Sequence, residues 1–188
     1  YLYKVSYLKT KAIIINKKVY KENDLLVTVL SQNQGKLFFI AKGASNSKSN
    51  RNATLQLGNI VNLDLYKKND FYWLSDSVTL KNLFKNRKSL NQIKFTFYFL
   101  EILNQLVSEN LDQDLLFDKS ISLILAIENK SFTKYVDHLI DLIKILGYGI
   151  PENITTSQRQ GQYLTCQKLL INYIQTIIEL PLQTSKII

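Results

Sequence analysis

Lysine and arginine cluster in one stretch of the sequence, and their spacing suits contacts with phosphate groups. Lys36 follows a polar turn, and Lys42 stands where the next apolar run ends. Lys48 and Arg51 lie in the following segment, 43–52, which has no apolar residue larger than alanine. A strand that ends in lysine and continues into a cationic loop is one arrangement that meets a nucleic-acid backbone. The alternative interpretation is a solvated hairpin with ordinary surface lysines.

The loop after Lys42 has a second predicted property. Residues 44–52 are mostly serine and asparagine with two cations, so they offer no anchor to a hydrophobic core. We therefore expect this loop to be irregular, and mobile when nothing is bound to it.

Charge is divided unevenly along the 188 residues. Residues 1–88 hold 16 Lys and Arg against 5 Asp and Glu, a net of +11, whereas residues 89–188 hold 8 against 10, a net of −2. This asymmetry predicts a polyanionic partner for the first part, with nucleic acid as the first candidate. An anionic membrane surface is the second candidate, but the basic part has no basic amphipathic helix, and no apolar run is long enough to span a bilayer.

Residues suited to bond-making chemistry are few. His138 is the single histidine and is predicted to be structural, and Cys166 has no identifiable base, so it should pack as a small apolar residue. Glu22 and Asp24 are either a carboxylate pair or, more in keeping with their turn, a solvated connection. Neither a Walker A sequence nor a glycine-rich dinucleotide motif is present. We expect no enzymatic activity and no cofactor, and one Cys with one His is too few for a four-ligand zinc site.

The first part of the chain has the periodicity of β-strands. In one segment Val61, Leu63 and Leu65 alternate with polar residues, and in the next Tyr72, Leu74 and Val78 are expected to share a face. Five strands are predicted, at 10–16, 25–31, 36–42, 59–67 and 70–79. Five short strands within about eighty residues indicate a small closed barrel, and the OB-fold is the common five-stranded barrel that binds single-stranded nucleic acid.

Aromatic residues on these strands have two interpretations. Most are expected to fill the barrel interior, and one or two to lie outside where bases can stack; the set is Phe38, Phe39, Tyr66, Tyr72 and Trp73. Alternation places Tyr66 opposite the apolar face of its strand, so it is the preferred candidate for stacking on a base.

After Leu80 the apolar residues recur every three or four positions, which predicts helices at 89–108, 113–128, 131–146 and 163–179. Predicted caps are Asp112 or Asp114, and Ser131; predicted stops are Gly147, Pro151 and Pro181. The sequence therefore predicts a two-domain α+β protein, with an OB-fold barrel over residues 1–82 and an α-helical bundle over residues 83–188.

The order and spacing of several short motifs resemble the RecO family of bacterial recombination mediators. The motifs are Lys9-Thr10-Lys11-Ala12-Ile13-Ile14, Tyr20 with Glu22 and Asp24, Leu26-Val27-Thr28, Gly35-Lys36-Leu37, Ala41-Lys42-Gly43-Ala44, Lys48-Ser49, Leu55-Gln56, Leu65-Tyr66, Leu142-Ile143-Lys144-Ile145-Leu146-Gly147-Tyr148 with Pro151, and Pro181-Leu182-Gln183-Thr184-Ser185-Lys186.

This resemblance implies binding to single- and double-stranded DNA and annealing of complementary strands. It also implies loading of the RecA recombinase, together with RecR, onto DNA coated by single-strand-binding protein. The acidic, apolar tail of single-strand-binding protein would dock on the helical part, near one of Lys94, Lys130, Lys134 and Lys168. A cytoplasmic, nucleoid-associated location would follow.

Phosphate contacts are assigned to Lys36, Lys42, Lys48 and Arg51, and also to Lys9, Lys67 and Lys68. The chain departs from the family pattern in one respect: many relatives carry a four-cysteine zinc module, whereas residues 149–165 contain no cysteine. The rival function is an OB-fold RNA-binding protein, or a protein-interaction adaptor without nucleic-acid function.

Overall fold

The computed structural model describes residues 6–46, 48–83, 89–108, 113–178 and Thr184. These residues form two compact units, a β-barrel followed by a helical bundle. The predicted α+β fold class is confirmed. Among the described residues, no helix has both the length and the apolar character needed to cross a membrane.

In the part of the chain that the structure describes, the barrel contains five strands and one short helix. Its elements are β1 Ser6–Tyr20, β2 Asp24–Ser31, β3 Gly35–Ala41, α1 Asn50–Thr54, β4 Ile60–Lys68 and β5 Phe71–Lys81. The strands close in the order β1-β2-β3-β5-β4, and every neighbouring pair is antiparallel except β3 and β5. β1 is longer than predicted because its first half pairs with β4 and its second half with β2.

Two tight turns follow from residues that accept positive φ. Gly35 adopts φ 63° at the end of the turn between β2 and β3, as its position in the sequence predicts. Asn69 and Asp70 adopt φ 49° and 64° between β4 and β5, the backbone of a two-residue type I′ hairpin. This turn sets the register of β4 and β5 next to it, from the Lys68–Phe71 pair to the Leu65–Leu74 pair.

A β-bulge changes which side chains of β5 face the core. Asp64 pairs with Asp76 and Leu65 pairs with Leu74, so Ser75 is left without a partner in β4. An extra residue inverts the alternation beyond it. Val78 therefore points outward and is 56% exposed. The prediction that Val78 shares the inward face of Leu74 is wrong for this reason.

Residues 42–59 are more structured than the sequence predicts. Ala44 and Leu55 are fully buried in the barrel core, and α1 lies between them. Asn52 donates from Nδ2 to the Ser45 carbonyl at 3.2 Å. The interpretation of 43–52 as a segment without an anchor is wrong, because small and polar residues here reach the core or satisfy backbone groups. Ser47 lies outside the described residues.

Two side chains hold α1 against the barrel. The Nζ of Lys17 donates to Asn52 Oδ1 at 3.4 Å, and burial lowers the pKa of Lys17. Asn59 is completely buried and donates from Nδ2 to the carbonyls of Ala53 and Thr54 at 3.2 and 2.8 Å. Because the last carbonyls of a helix lack partners within it, Asn59 supplies the C-terminal cap of α1.

Within the described residues, the helical unit contains five helices: α2 Leu90–Leu106, α3 Gln113–Glu128, α4 Phe132–Ile145, α5 Glu152–Arg159 and α6 Tyr163–Ile177. The four predicted helices correspond to α2, α3, α4 and α6, while α5 was not predicted. The core of the helical unit is formed by fully buried residues of α2, α3, α4 and α6. They include Phe99, Leu103, Phe117, Ile124, Leu139, Ile143, Leu170 and Ile174.

The predicted helix signals were right in part. Gly147 has φ 89°, and its N–H bonds the Lys144 carbonyl at 2.9 Å, which ends α4 as predicted. Ser131 occupies the N-cap position of α4 without a side-chain cap bond, and Asp114 lies inside the first turn of α3. Pro151 stands at the N-cap of α5, so it precedes a new helix. Asp112 and Pro181 lie outside the described residues.

Candidate nucleic-acid interface

Three aromatic residues lie directly opposite one another on neighbouring strands. Tyr66 of β4 pairs with Tyr7 of β1 on one side and with Trp73 of β5 on the other. Neighbouring strands are about 4.8 Å apart, so the three side chains form a short row around the barrel. Tyr66 alternates with buried Leu63 and Leu65, so the row lies on the outside. The outward position predicted for Tyr66 is confirmed.

Two further aromatic residues extend this row. Phe71 lies two residues before Trp73 in β5, and Phe38 lies two residues before Ile40 in β3. Trp73 and Ile40 pair across the β3–β5 junction. Period two places Phe38 and Phe71 outward in the adjacent row, where they are 43% and 59% exposed. We call these five outward residues the aromatic face: Tyr7, Phe38, Tyr66, Phe71 and Trp73.

The aromatic face corrects the expectation that most strand aromatics fill the interior. Of the five residues considered from the sequence, Phe39 lies in the core and Tyr72 packs against it. Phe38, Tyr66 and Trp73 point outward instead. The interior is filled by aliphatic side chains of all five strands, so it has no room for these rings. Tyr7 was missed because nothing local in the sequence reveals that it pairs with Tyr66.

Cations border the aromatic face. The Nζ of Lys42 lies 5.3 Å from the centre of the Trp73 ring, within the range of a cation–π interaction. Lys68 is exposed and pairs with Phe71 at the β4–β5 turn, next to exposed Lys67. Lys48 is exposed in the turn before α1. Lys42 and Lys68 thus border the aromatic face that contains Tyr66, and their assignment to one nucleic-acid site stays a prediction.

Lys9 has a partner within the barrel. Its Nζ forms an ion pair with Asp64 at 2.9 Å, and Asp64 lies directly opposite Asp76. Two carboxylates and one ammonium thus occupy the row beside the aromatic face. This row repels phosphate, so it marks one edge of the surface on which a nucleic-acid strand can lie. A phosphate contact by Lys9 would have to compete with its ion pair to Asp64.

Arg51 also engages the barrel itself. Its Nη1 donates to the Lys42 carbonyl at 3.2 Å, and its Nη2 donates to the Ser75 carbonyl at 3.3 Å. Lys42 follows β3 and Ser75 is the bulge residue within β5, so the guanidinium links the end of β3 to the bulge of β5. Lys36 lies six residues from Lys42 along β3, about 20 Å away. The predicted phosphate-binding set is therefore spread over the barrel and is not a single cluster.

The groups considered for catalysis have structural surroundings. Asp24 Oδ1 accepts a hydrogen bond from the Gly43 N–H at 2.9 Å, and Glu22 is exposed in the turn before β2. Cys166 is fully buried, donates to the Ile154 carbonyl at 3.6 Å, and has its pKa raised by burial. The packing role predicted for Cys166 is confirmed. No group of three or more potential metal-ligating side chains occurs among the described residues.

A pocket of about 380 Å³ lies within the helical unit. Its wall is largely apolar and includes Phe95, Ile127 and Phe132. Lys130 also lines the pocket. Two buried polar atoms in the wall, Tyr135 Oη and Gln167 Nε2, have no hydrogen-bond partner among the described residues. A ligand that combines an apolar group with hydrogen-bonding atoms and negative charge would fit this lining.

Comparison with known proteins identifies the chain's family. Residues 5–83, which contain the whole barrel, match the family described as Recombination protein O N terminal. DNA repair protein RecO of Clostridium novyi is 31% identical over 154 residues, which cover 77% of this chain and 58% of that protein. Residues 5–83 belong to the RecO family. The Clostridium novyi match is longer than the barrel, so the RecO resemblance continues into the helical unit.

Other RecO proteins also match part of the chain. The DNA repair protein RecO of Acetivibrio thermocellus is 30% identical over 106 residues, covering 56% of this chain and 42% of that protein. That of Caldanaerobacter subterraneus is 24% identical over 145 residues, covering 76% and 59%. The chain thus spans about half the length of the curated RecO relatives that it matches.

Proposed function

We propose that this RecO-family chain is a non-enzymatic DNA-binding recombination mediator that acts in DNA repair. The observation that carries the proposal is a coincidence of position: the segment that matches the RecO family is the barrel, and the barrel carries the chain's excess of positive charge. The relatives are named as DNA repair proteins, which supports the same role here.

Strand annealing follows from charge in this proposal. Two complementary strands repel each other through their phosphates, and the barrel's cations reduce that repulsion while they hold the strands close. No bond is made or broken. The family resemblance extends the proposal to loading RecA, together with RecR, onto DNA coated by single-strand-binding protein.

The pocket in the helical unit is our proposed docking site for the tail of single-strand-binding protein. Such a tail is acidic and ends in apolar residues, so it needs an apolar cavity with a cation beside it. Of the four lysines considered from the sequence, Lys130 lines the larger pocket, and Lys134 lines a smaller one of about 290 Å³. We therefore assign the rim cation to Lys130.

Binding and annealing measurements test the DNA-binding proposal. Single-stranded DNA, duplex DNA and RNA of equal length are titrated at two salt concentrations, and annealing of two complementary oligonucleotides is followed in parallel. We expect DNA binding that weakens steeply with salt, and faster annealing in the presence of the protein. A marked preference for RNA would favour the RNA-binding alternative. Failure to bind any nucleic acid would favour the adaptor.

The tail assignment has its own test. A labelled peptide with the tail sequence is titrated against the intact chain, against Lys130→Gln and against the matched control Lys144→Gln, which changes an exposed lysine of the same unit that is absent from the pocket lining. Weaker peptide binding by Lys130→Gln alone supports the assignment. Equal binding by all three proteins removes Lys130 from the site.

A further inference from the structure

We propose that the aromatic face is a stacking surface for unpaired bases, so that the barrel selects single-stranded over paired nucleic acid. This inference rests on the proposed function, because it specifies which form of DNA the barrel holds. It assigns Tyr7, Trp73, Phe38 and Phe71 to the interface, in addition to Tyr66.

The exposure of the rings is the first argument. Tyr7, Phe71 and Phe38 are 75%, 59% and 43% exposed, and they share one outer surface with half-buried Tyr66 and Trp73. Folded proteins seldom leave contiguous apolar surface in water unless it binds something. The close ring pairs found among the described residues lie in the helical unit, where Phe95 approaches Phe132 and Tyr135. The exposed rings of Tyr7, Phe38 and Phe71 therefore remain available for an external partner, whereas Trp73 is half-buried and its Nε1 is buried without a hydrogen-bond partner among the described residues.

Charge identifies the partner. Lys42 and Lys68 border the aromatic face, on a barrel whose half of the chain has a net charge of +11. Aromatic rings beside cations recognise a chain that alternates flat bases with phosphates. The acidic row formed by Lys9, Asp64 and Asp76 keeps phosphates from one side, so it limits the path of the strand.

The stacking surface distinguishes single strands from duplexes, because a duplex hides the faces of its bases. Paired bases are stacked on one another, so their faces are not accessible to a ring on a protein surface, whereas a single strand presents them. In the free protein the Lys42 ammonium occupies the neighbourhood of the Trp73 ring. A base that stacks on Trp73 takes this place, and Lys42 is then free to meet the adjacent phosphate.

Trp73 is the single tryptophan of the chain, so its fluorescence reports on the proposed surface directly. The intact protein is titrated with a 5′-labelled oligo(dT), with a strand of the same phosphate number whose sugars lack bases, and with a blunt duplex. Anisotropy of the label measures binding, and Trp73 emission measures contact with a base. We expect quenching by oligo(dT), and little quenching by the base-free strand at equal saturation.

Variants add a second readout. Tyr7→Ala and Tyr66→Ala should each weaken oligo(dT) binding by roughly 5- to 150-fold, the effect of removing one stacked base, with an unchanged salt dependence and unchanged binding of the base-free strand. Tyr20→Ala is the matched control, because Tyr20 is an exposed tyrosine of the same barrel in the β1–β2 hairpin, outside the aromatic face.

The outcomes separate the inference from the proposed function. If both strands bind equally, Trp73 emission does not change and Tyr7→Ala behaves like Tyr20→Ala, the stacking surface is overturned while DNA binding stands. If no nucleic acid raises the anisotropy, both are overturned. Because Tyr7 is largely exposed, its replacement leaves the fold intact, so weaker binding by that variant supports stacking.

Discussion

Arg51 illustrates how a surface cation can be committed to the fold. Its guanidinium donates to two carbonyls, one after β3 and one at the β5 bulge. The bulge carbonyl of Ser75 belongs to the residue that β4 leaves unpaired, so Arg51 satisfies a group that the sheet does not. This intramolecular role competes with the phosphate contact proposed for the same side chain.

We predict that Arg51→Ala lowers the free energy of unfolding by about 1.5–3 kcal/mol, the range for hydrogen bonds from a charged donor. Urea denaturation followed by circular dichroism measures this change. Lys48→Ala is the control, because it removes an exposed cation from the preceding turn and should stay within about 0.5 kcal/mol. If Arg51→Ala were as stable as that control, the structural role of Arg51 would be contradicted, and its guanidinium could bind phosphate without cost to the fold.

His138 is a pH-sensitive residue of the helical unit. Burial, followed by the charge of Lys119, lowers its pKa below the usual 6.5, and its Nδ1 is buried without a hydrogen-bond partner among the described residues. The nearby carboxylates of Asp141 and Asp137 oppose this shift in part. The unfolded chain therefore takes up a proton on His138 more readily than the folded chain does.

From this pKa we predict that stability falls as pH decreases below about 6.5, until the folded-state pKa is passed. Above that range His138 is neutral in both states and its contribution is fully present. Urea denaturation at several pH values between 5 and 8 measures the slope, and His138→Gln should flatten it relative to the unchanged chain. Identical slopes for the two proteins would show that other groups cause the dependence.

At the scale of elements, α1 depends on one asparagine from outside the helix. Five residues are too few to form a stable helix alone, so α1 needs tertiary support. Leu55 supplies burial at its end and Asn59 supplies hydrogen bonds to its last carbonyls.

We predict that Asn59→Ala destabilises the chain by about 1–3 kcal/mol, because two carbonyls are then without their buried donor. Asn62→Ala is the matched control, since Asn62 is exposed on the outer face of β4. Thermal unfolding compares the two variants, and hydrogen exchange of α1 amides should rise only in Asn59→Ala. Equal melting temperatures would contradict the capping role.

The strands and four helices were predictable because their periodicity is local. Val61, Leu63 and Leu65 show the inward face of β4 without any knowledge of its neighbours. The bulge at Ser75 was not predictable, because it depends on how β5 pairs with β4. Helix α5 was missed since its buried residues are only Ile154 and Ser157, which give almost no apolar pattern.

The candidate interface was predictable to a similar degree. Alternation alone placed Tyr66 outward, and the end of an apolar run placed Lys42 at a strand terminus. Pairing between strands distant in sequence decides the rest: it sets Tyr7 and Trp73 beside Tyr66, and it gives Lys9 and Arg51 internal partners. Neither composition nor local pattern contains that information.

For the molecule as a whole, charge predicts how binding responds to salt. We predict that replacing Lys42 and Lys68 together by Gln lowers the log–log salt slope on single strands by about 1.4, at about 0.7 for each phosphate that is no longer neutralised. The weakening should be similar for unrelated sequences, because phosphate binding does not read bases. Filter binding at four or more salt concentrations gives the slope. A Lys144→Gln, Lys168→Gln protein, altered on exposed helical lysines, should keep the original slope.

The barrel closes through one short parallel junction. β3 and β5 share two register pairs, Phe39 with Tyr72 and Ile40 with Trp73, whereas β4 and β5 share nine. A closed ring opens where its ladder is shortest, so native-state hydrogen exchange should find the amides of this junction opening before those of the β4–β5 hairpin. Phe38 and Trp73 lie on opposite sides of the junction. Bases that stack on both side chains would stabilise the β3–β5 pairing, so bound DNA should slow amide exchange there first. The exchange rate of this shortest ladder would then report how much of the protein has DNA bound.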